Sequence, residues 1–385
     1  MLEESQFESD RPGGWLWLAL VVVLLSPVAC KTLAPRANGD LGRSFSEAEG
    51  LFHQNPLWLG ADAALSIPLD SDRTLWLFGD TFVATSEAHS RSQSEMVRNT
   101  IAIQVGHDPR TSLMEFHWRQ DPDGSPASFF PEKEPYWYWP GHGIRLAEGP
   151  LVIFLYKLVG TPGQGLGFAS AGYALTVIDD PDEPVEKWEP RVVDAALSPF
   201  DAVPATAVIR DGPYVVALAI RQEGTHAGAL VRWLAASLAQ GDVGGAEWWD
   251  GPGRGWVPEP ALGPGGPEFV LDDAGAECSI HWDAGTRSFI HVASYGFGAS
   301  TIGLRTAPSV TGPWSSPIQV YRPPESDGSR PFVYAAKAHH ELIGPDPADL
   351  VITYATNSFD FADLFTKKGQ RSLYWPRFVV VQIGQ

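Results

Sequence analysis

The chain has 385 residues, 44% of them hydrophobic and 11% aromatic, enough for a sizeable core and too many for intrinsic disorder. Only 19% are charged, whereas Gly 39 and Pro 33 supply abundant turn formers, which argues against helical bundles and for an all-β chain. The net charge of −19 excludes the basic footprint that a nucleic-acid partner requires and would be repelled by an anionic membrane surface.

In chain order, the first feature is a targeting segment. Residues 13–30 carry no charge, and 15–25 form a compact apolar run. That run is shorter than the roughly 20 residues of a membrane-crossing helix and suits the apolar region of a signal peptide. Glu3, Glu4, Glu8 and Asp10 precede it with a single Arg11, which is unlike the basic start of export signals. The run ends Ser26-Pro27-Val28-Ala29-Cys30, which resembles a bacterial lipobox with Pro27 where Leu is usual. Residues 1–30 are therefore expected to be a signal peptide of lipoprotein type with Cys30 as lipid anchor; a plain cleaved signal and an uncleaved anchor are the alternatives. Residues 31–50 are polar and turn-rich and read as a linker, and 51–385 as the folded domain. The expected location is the cell envelope after export, with membrane contact only through the anchor, and the expected state is a monomer. The two cysteines, Cys30 and Cys278, are too few for a disulfide scaffold or a cysteine zinc site.

Beyond residue 51 one pattern recurs five times: a short strand, a turn of Asp, Gly or Arg type, then a strongly apolar strand. The copies are 66–80, 143–156, 207–220, 279–294 and 339–356, and their starts are 60 to 77 residues apart. Each reads as a β-hairpin. Further strand-like runs lie between them, at 100–105, 173–178, 229–234 and 301–306, and several copies then reach a Trp: Trp118, Trp188, Trp248 and Trp314. About four strands per unit is the content of a propeller blade, so the expected fold is a five-bladed β-propeller; a β-sandwich is the alternative. Either 51–60 or the apolar run 377–383 is expected to close the ring, and 232–239 is the one short helix.

In such a ring the polar residues at the starts of the first strands converge. Asp62 precedes the first hairpin and Asp80 ends it, so the two carboxylates are expected at one rim. Paired carboxylates in a cleft suit general acid and base chemistry, because proximity pushes their pKa values apart; turn capping is the bland alternative. Glu277 stands directly before the fourth hairpin, where partial burial would suit a general acid. Trp139 and His142 follow Tyr136-Trp137-Tyr138, the densest aromatic cluster of the chain, and read either as a sugar platform or as an apolar plug. Lys337, His339 and Asn357 flank the fifth hairpin, and Asn99 lies in the first unit; all four are candidates for binding a hydroxyl-rich ligand. Adjacent His339 and His340 point to opposite faces of a strand, so no metal site is expected from them. No cofactor is expected; a calcium or sodium ion in the channel is left open, without any ligand spacing to reveal it.

The stretch from Gly60 to Phe82, with Ala338-His339-His340 and the run 352–358, resembles a bacterial family of unknown function whose members are five-bladed propellers, some of them endo-D-arabinanases. The resemblance spans roughly 51–383. A wider similarity is to the arabinanase and invertase propellers, through the run 306–317 and the pair Glu277-Cys278. By the invertase-type resemblance Asp62 would be base or nucleophile and Glu277 the acid; by the arabinanase type Asp62 and Asp80 would work as the pair. The Asp that these propellers take from the third blade has no clear match here.

The expected function is thus an exported glycoside hydrolase acting on furanosidic, arabinan-like polysaccharide. Carboxyl groups about 5–5.5 Å apart would imply retention and about 6.5–9.5 Å inversion, with inversion the expectation. A non-catalytic carbohydrate-binding surface lipoprotein, with a neutral polysaccharide or oligosaccharide as partner, is the alternative; a structural lipoprotein is a third.

Overall fold

The computed structural model describes residues 41–383, except 148, 164–166, 196, 197, 199, 223, 297, 299, 328 and 329. The expected signal peptide and Cys30 lie outside the described residues.

Four of the five expected hairpins form in place and the fifth is displaced, since its first strand, Pro331–His339, ends where the expected copy 339–356 begins and 340–348 form its turn; each hairpin opens an antiparallel sheet, and the first four sheets meander outward in chain order. The first sheet runs Leu65–Pro68, Arg73–Phe78, Thr100–Val105, Leu113–His117. The second runs Tyr136–Arg145, Leu151–Gly160, Phe168–Ile178, Arg191–Ala195. The third, Ala202–Asp211, Tyr214–Arg221 and Gly228–Leu234, continues through Glu247–Trp249 to Trp256–Pro258, and Phe269–Leu271 also pairs with its third strand. The fourth runs Cys278–Asp283, Ser288–Tyr295, Thr301–Ala307, Ile318–Tyr321.

The fifth sheet mixes distant parts of the chain. After Pro331–His339 and Asp349–Ser358 comes Arg377–Gln382, and outside it Gly42–Ser44. The apolar C-terminal run therefore does join this sheet, but its outer partner comes from the stretch expected as linker. The last ten residues of that stretch hold this strand and most of the 3-10 helix Ser46–His53, which buries Ala48, Leu51 and Phe52. Phe52 stacks on Phe378 at 5.1 Å and meets Trp76 edge-on at 5.2 Å, joining the first and fifth sheets. Trp58–Ala61, in the alternative closing segment 51–60, instead forms a small sheet with Thr81–Ala84 and Ser94–Val97.

The first strands pack against one another in series: first on second, second on third, third on fourth, fourth on fifth. The fifth returns to the first, where His339 Nδ1 and Ser66 Oγ are hydrogen-bonded at 2.6 Å. The core accordingly lies in layers between neighbouring sheets. Trp233 and Phe154 belong to the layer of the second and third sheets; Leu77, Ile153 and Leu155 belong to that of the first and second. With both faces of a sheet covered, its second strand need not alternate, and Leu151 to Leu155 are all fully buried. Burying each such large apolar side chain contributes about 1.5–3 kcal/mol.

Three first strands carry bulges, between Pro140 and Gly143, Val203 and Ala207, and Tyr334 and Lys337. A bulge inserts an extra residue and re-aims its neighbours, and each of these sits where first strands crowd together. The expected short helix is present as Ala235–Ala239. Among the described residues no helix is long and apolar enough to cross a membrane.

Candidate active site

Asp62 leaves the end of Trp58–Ala61, and Asp80 lies between Arg73–Phe78 and Thr81–Ala84. Their backbones are tied together: the Gly79 N–H donates to the Asp62 carbonyl at 3.2 Å. A Cβ on Gly79 would stand 2.4 Å from Asp62 Oδ1, so this close approach requires glycine. Ala63 and Ala64 follow Asp62 with φ of 65° and 54°, and nearby Ala335 and Tyr374 have 59° and 62°. Four non-glycine residues in the left-handed region around one carboxylate is the kind of strain that surrounding packing must hold, and such strain clusters at functional sites.

Asp62 Oδ2 accepts from the Tyr334 hydroxyl at 2.9 Å and from the Tyr374 hydroxyl at 3.3 Å. Burial, then the charges of Asp80 and Glu277, push the Asp62 pKa up to about 8 against the pull of the two tyrosines. Both tyrosines are held well above their usual range, by burial first and then by Asp62, so they remain O–H donors.

Asp80 is held differently. Its Oδ1 accepts from Trp139 Nε1 at 2.8 Å, and the Arg98 guanidinium lies 3.5 Å from Oδ2. Arg98 in turn lies over the Trp137 ring at 4.7 Å. Burial raises the Asp80 pKa more than Arg98 and Trp139 lower it. Trp139 and Trp137 thus supply an indole donor and a cation platform to the first carboxylate pair.

Glu277 approaches from the start of the fourth sheet. Its Oε1 lies 3.3 Å from Lys337 Nζ, which also donates to the Ala63 carbonyl at 2.7 Å and the Ala335 carbonyl at 2.9 Å. Lys337 is 2% exposed, so this expected ligand-binding residue ties the Asp62 loop to Glu277 from within. Glu277 also lines a narrow crevice between first strands, with Leu65, Gly141, Tyr156, Ala205 and Thr206. Tyr156 and Thr206 close its wall through a 2.8 Å hydroxyl contact. Asn357 pulls against the upward shift of the Tyr334 hydroxyl and so acts on Asp62 only at one remove.

Three expected ligand-binding residues are placed otherwise. Asn99 is fully buried; its amide donates to the Phe130 and Tyr138 carbonyls and accepts the Phe130 N–H. His339, 1% exposed, is hydrogen-bonded at both ring nitrogens, to Ser66 and Thr353. His142 accepts the Val208 N–H at Nδ1, so Nε2 carries the proton and donates to the Ser66 carbonyl at 3.1 Å. Burial drops its pKa to about 4. The polar atoms of all three are engaged in joining sheets. Tyr334 and Tyr374 were not among the sequence candidates; only the crowding of Tyr334 close before Lys337 hinted at one of them.

A separate group, Glu115, His117 and Glu186, brings one potential metal-ligating atom each to within 4.8 Å of one another, far out on the first sheet, with both glutamates exposed. His117 Nδ1 lies 3.5 Å from Glu186 Oε1, an ordinary surface pairing. Cys278 is a buried free thiol whose pKa burial raises.

In fold, the chain is similar to a candidate hydrolase from Bacteroides ovatus ATCC 8483, at 16% identity over 88% of this chain and 90% of that one, with a TM-score of 0.70. Weaker similarities reach an endo-arabinase from Bacteroides thetaiotaomicron VPI-5482, at 14% identity, 85% and 95% coverage and a TM-score of 0.43. They also reach a xylan β-1,4-xylosidase from Bacillus halodurans C-125, at 11% identity and a TM-score of 0.45, with 86% of this chain covering 54% of that one. No curated protein matches the sequence. Residues 46–383 match the family described as a domain of unknown function, DUF5005, and the chain belongs to that family.

Proposed function

We propose that the five sheets are the blades of a five-bladed β-propeller, and that the chain is an exported glycoside hydrolase acting on furanosidic, arabinan-like polysaccharide. The observation that carries the reading is the convergence of Asp62, Asp80 and Glu277, where burial first and then the charges of the last two raise Asp62 to about 8. The similarity in fold to the candidate hydrolase of Bacteroides ovatus supports it.

In this reading Asp62 is the acid. It is largely protonated at neutral pH and transfers that proton to the glycosidic oxygen as the bond to the anomeric carbon breaks. Glu277, with the Lys337 ammonium as counter-charge 3.3 Å away, is the carboxylate that accepts a proton from the attacking water. The water oxygen bonds to the anomeric carbon, and the products are two shorter saccharides. These roles are the reverse of those that the invertase-type resemblance implies. Asp80 keeps Asp62 protonated by its charge and is itself oriented by Trp139 and Arg98. The lipid anchor at Cys30 is part of the same proposal and is tested by labelling with radioactive palmitate, which Cys30→Ser should abolish.

The function is tested by reducing-sugar release from arabinans, fructans and galactans. Release from an arabinan that disappears in Asp62→Asn and Glu277→Gln supports the reading; release unaffected by both substitutions, or none from any polymer, overturns it. The alternative, a carbohydrate-binding surface lipoprotein without catalysis, draws on the engagement of Asp80 by Trp139 and Arg98, which suits a fixed binding wall. Oligosaccharide binding without turnover would favour it.

A further inference from the structure

A second concavity lies beside the strand that delivers Asp62. It encloses about 370 Å³ and is lined by His89, Arg91, Lys367, Gln370, Arg371 and Trp375. With Leu59, seven residues line it; three of them, Arg91, Lys367 and Arg371, are cations and none is acidic, in a chain of net charge −19.

The basic groups have no counter-charge of their own. Arg91, 2% exposed, donates to the carbonyls of Leu59, Leu364 and Leu373 and lies within 6.0 Å of the Phe82, Tyr374 and Trp375 ring centres. Carbonyls and ring faces solvate a guanidinium but do not neutralise it. Burial lowers the Arg91 pKa to about 10, in keeping with a cation that no carboxylate supports. Asp360 and Asp363, which precede Lys367, are engaged by Arg330, and among the described residues no ion pair joins Glu87 or Glu95, the acids on either side of Arg91, to the cleft. Lys367 and Arg371 are exposed and form no ion pair among the described residues. Gln370, through Oε1, accepts from the Arg91 N–H and the Ser90 hydroxyl, which fixes the wall between them.

Oriented, unneutralised cations around a cleft of this size recognise an oxyanion. The cleft and the candidate active site draw on the same segments: Leu59 lines the cleft in the strand that leads to Asp62, and Trp375 follows Tyr374, whose hydroxyl reaches Asp62. We propose that the cleft binds the oxyanion of an acidic saccharide, either the carboxylate of a uronic acid or a sulfate ester, held by Lys367 and Arg371 over the fixed charge of Arg91. The saccharide part of this assignment rests on the hydrolase reading above; the oxyanion part does not.

The test is calorimetric titration of the full chain with trigalacturonate, galactose 6-sulfate, neutral galactotriose and inorganic sulfate. At least one acidic sugar is expected to bind at least tenfold more tightly than galactotriose, and to lose at least tenfold in affinity in Lys367→Ala/Arg371→Ala. Raising the salt from 50 to 500 mM should weaken it similarly, because the pair of cations is exposed. Both substituted residues are on the surface, so circular dichroism should report an unchanged fold. Equal binding of acidic and neutral sugars, or an unaffected double variant, overturns the proposal. Inorganic sulfate binding without either acidic sugar overturns the saccharide assignment. Binding is read without turnover, so an inactive protein that still binds an acidic sugar would defeat the hydrolase reading and leave this one standing.

Discussion

Two polar clusters draw on the first and fifth sheets and behave in opposite ways. At Ser66, His339 and Thr353 each group finds a partner of complementary kind, and both imidazole nitrogens are satisfied. At Asp62, Asp80 and Glu277 three carboxyl groups are gathered instead, with Arg98 beside Asp80 and Lys337 beside Glu277 but only tyrosines on Asp62, and strained backbone holds the Asp62 loop there. The first cluster fastens sheets together. The second stores electrostatic tension that a proton transfer can use. Burial alone therefore says little about a polar residue; what matters is whether its neighbours answer its charge.

The sharpest way to break this contrast is to neutralise its second half. Asp62→Asn and Glu277→Gln should each lower kcat by about 10³-fold, within the range of general acid–base effects, with oligosaccharide affinity nearly unchanged. Rate measurements that fall by less than tenfold would remove the chemical distinction between the clusters. Neutralising the first kind of residue should act on stability instead. Asn99→Ala strips partners from the Phe130 N–H and from the carbonyls of Phe130 and Tyr138, at a cost of about 1–3 kcal/mol in urea unfolding, with KM unchanged. A raised KM at constant stability would return Asn99 to the binding site.

The pH dependence sharpens the comparison further. The Asp62 pKa is about 8 in the folded chain, against an ordinary 3.8, so the folded state holds this proton more tightly. Unfolding free energy should accordingly fall as pH rises from about 4 through about 8, and Asp62→Asn should flatten that slope. If Asp62 is the acid, kcat should fall above about pH 8 in the unmodified protein. A kcat that instead rises through pH 8 would assign Asp62 the role of base. The smallest effect is expected from Trp139→Phe, which keeps the ring but removes the N–H from Asp80; a loss of about 0.5–1.5 kcal/mol should slow turnover a few-fold.

Four hairpins were legible in the sequence because turn chemistry and apolar strands are local signals; in the fifth only the second strand was, since its first strand, Pro331–His339, lies upstream of the expected copy. The nearness of Asp62 and Asp80 was legible for the same reason, since they flank one hairpin. Tyr334 and Tyr374 were not: they reach Asp62 from 272 and 312 positions away, brought by the packing of the fifth sheet on the first. His142, His339 and Asn99 looked like ligands because a polar residue beside a strand start gives no local sign of whether a distant backbone group will claim it. Gly42–Ser44 was read as part of a linker because three polar or small residues carry no strand pattern of their own.

The pairing of Gly42–Ser44 with Arg377–Gln382 fixes an order of events during synthesis. The earliest described strand leaves the ribosome with its mate still more than 330 codons away, and must wait, unpaired, until Arg377–Gln382 has been made. The fifth sheet is thus a latch that only the arrival of Arg377–Gln382 can fasten. A nonsense mutation just before Arg377 would leave Asp349–Ser358 as an open sheet edge and Gly42–Ser44 as an orphan strand, both ready to aggregate.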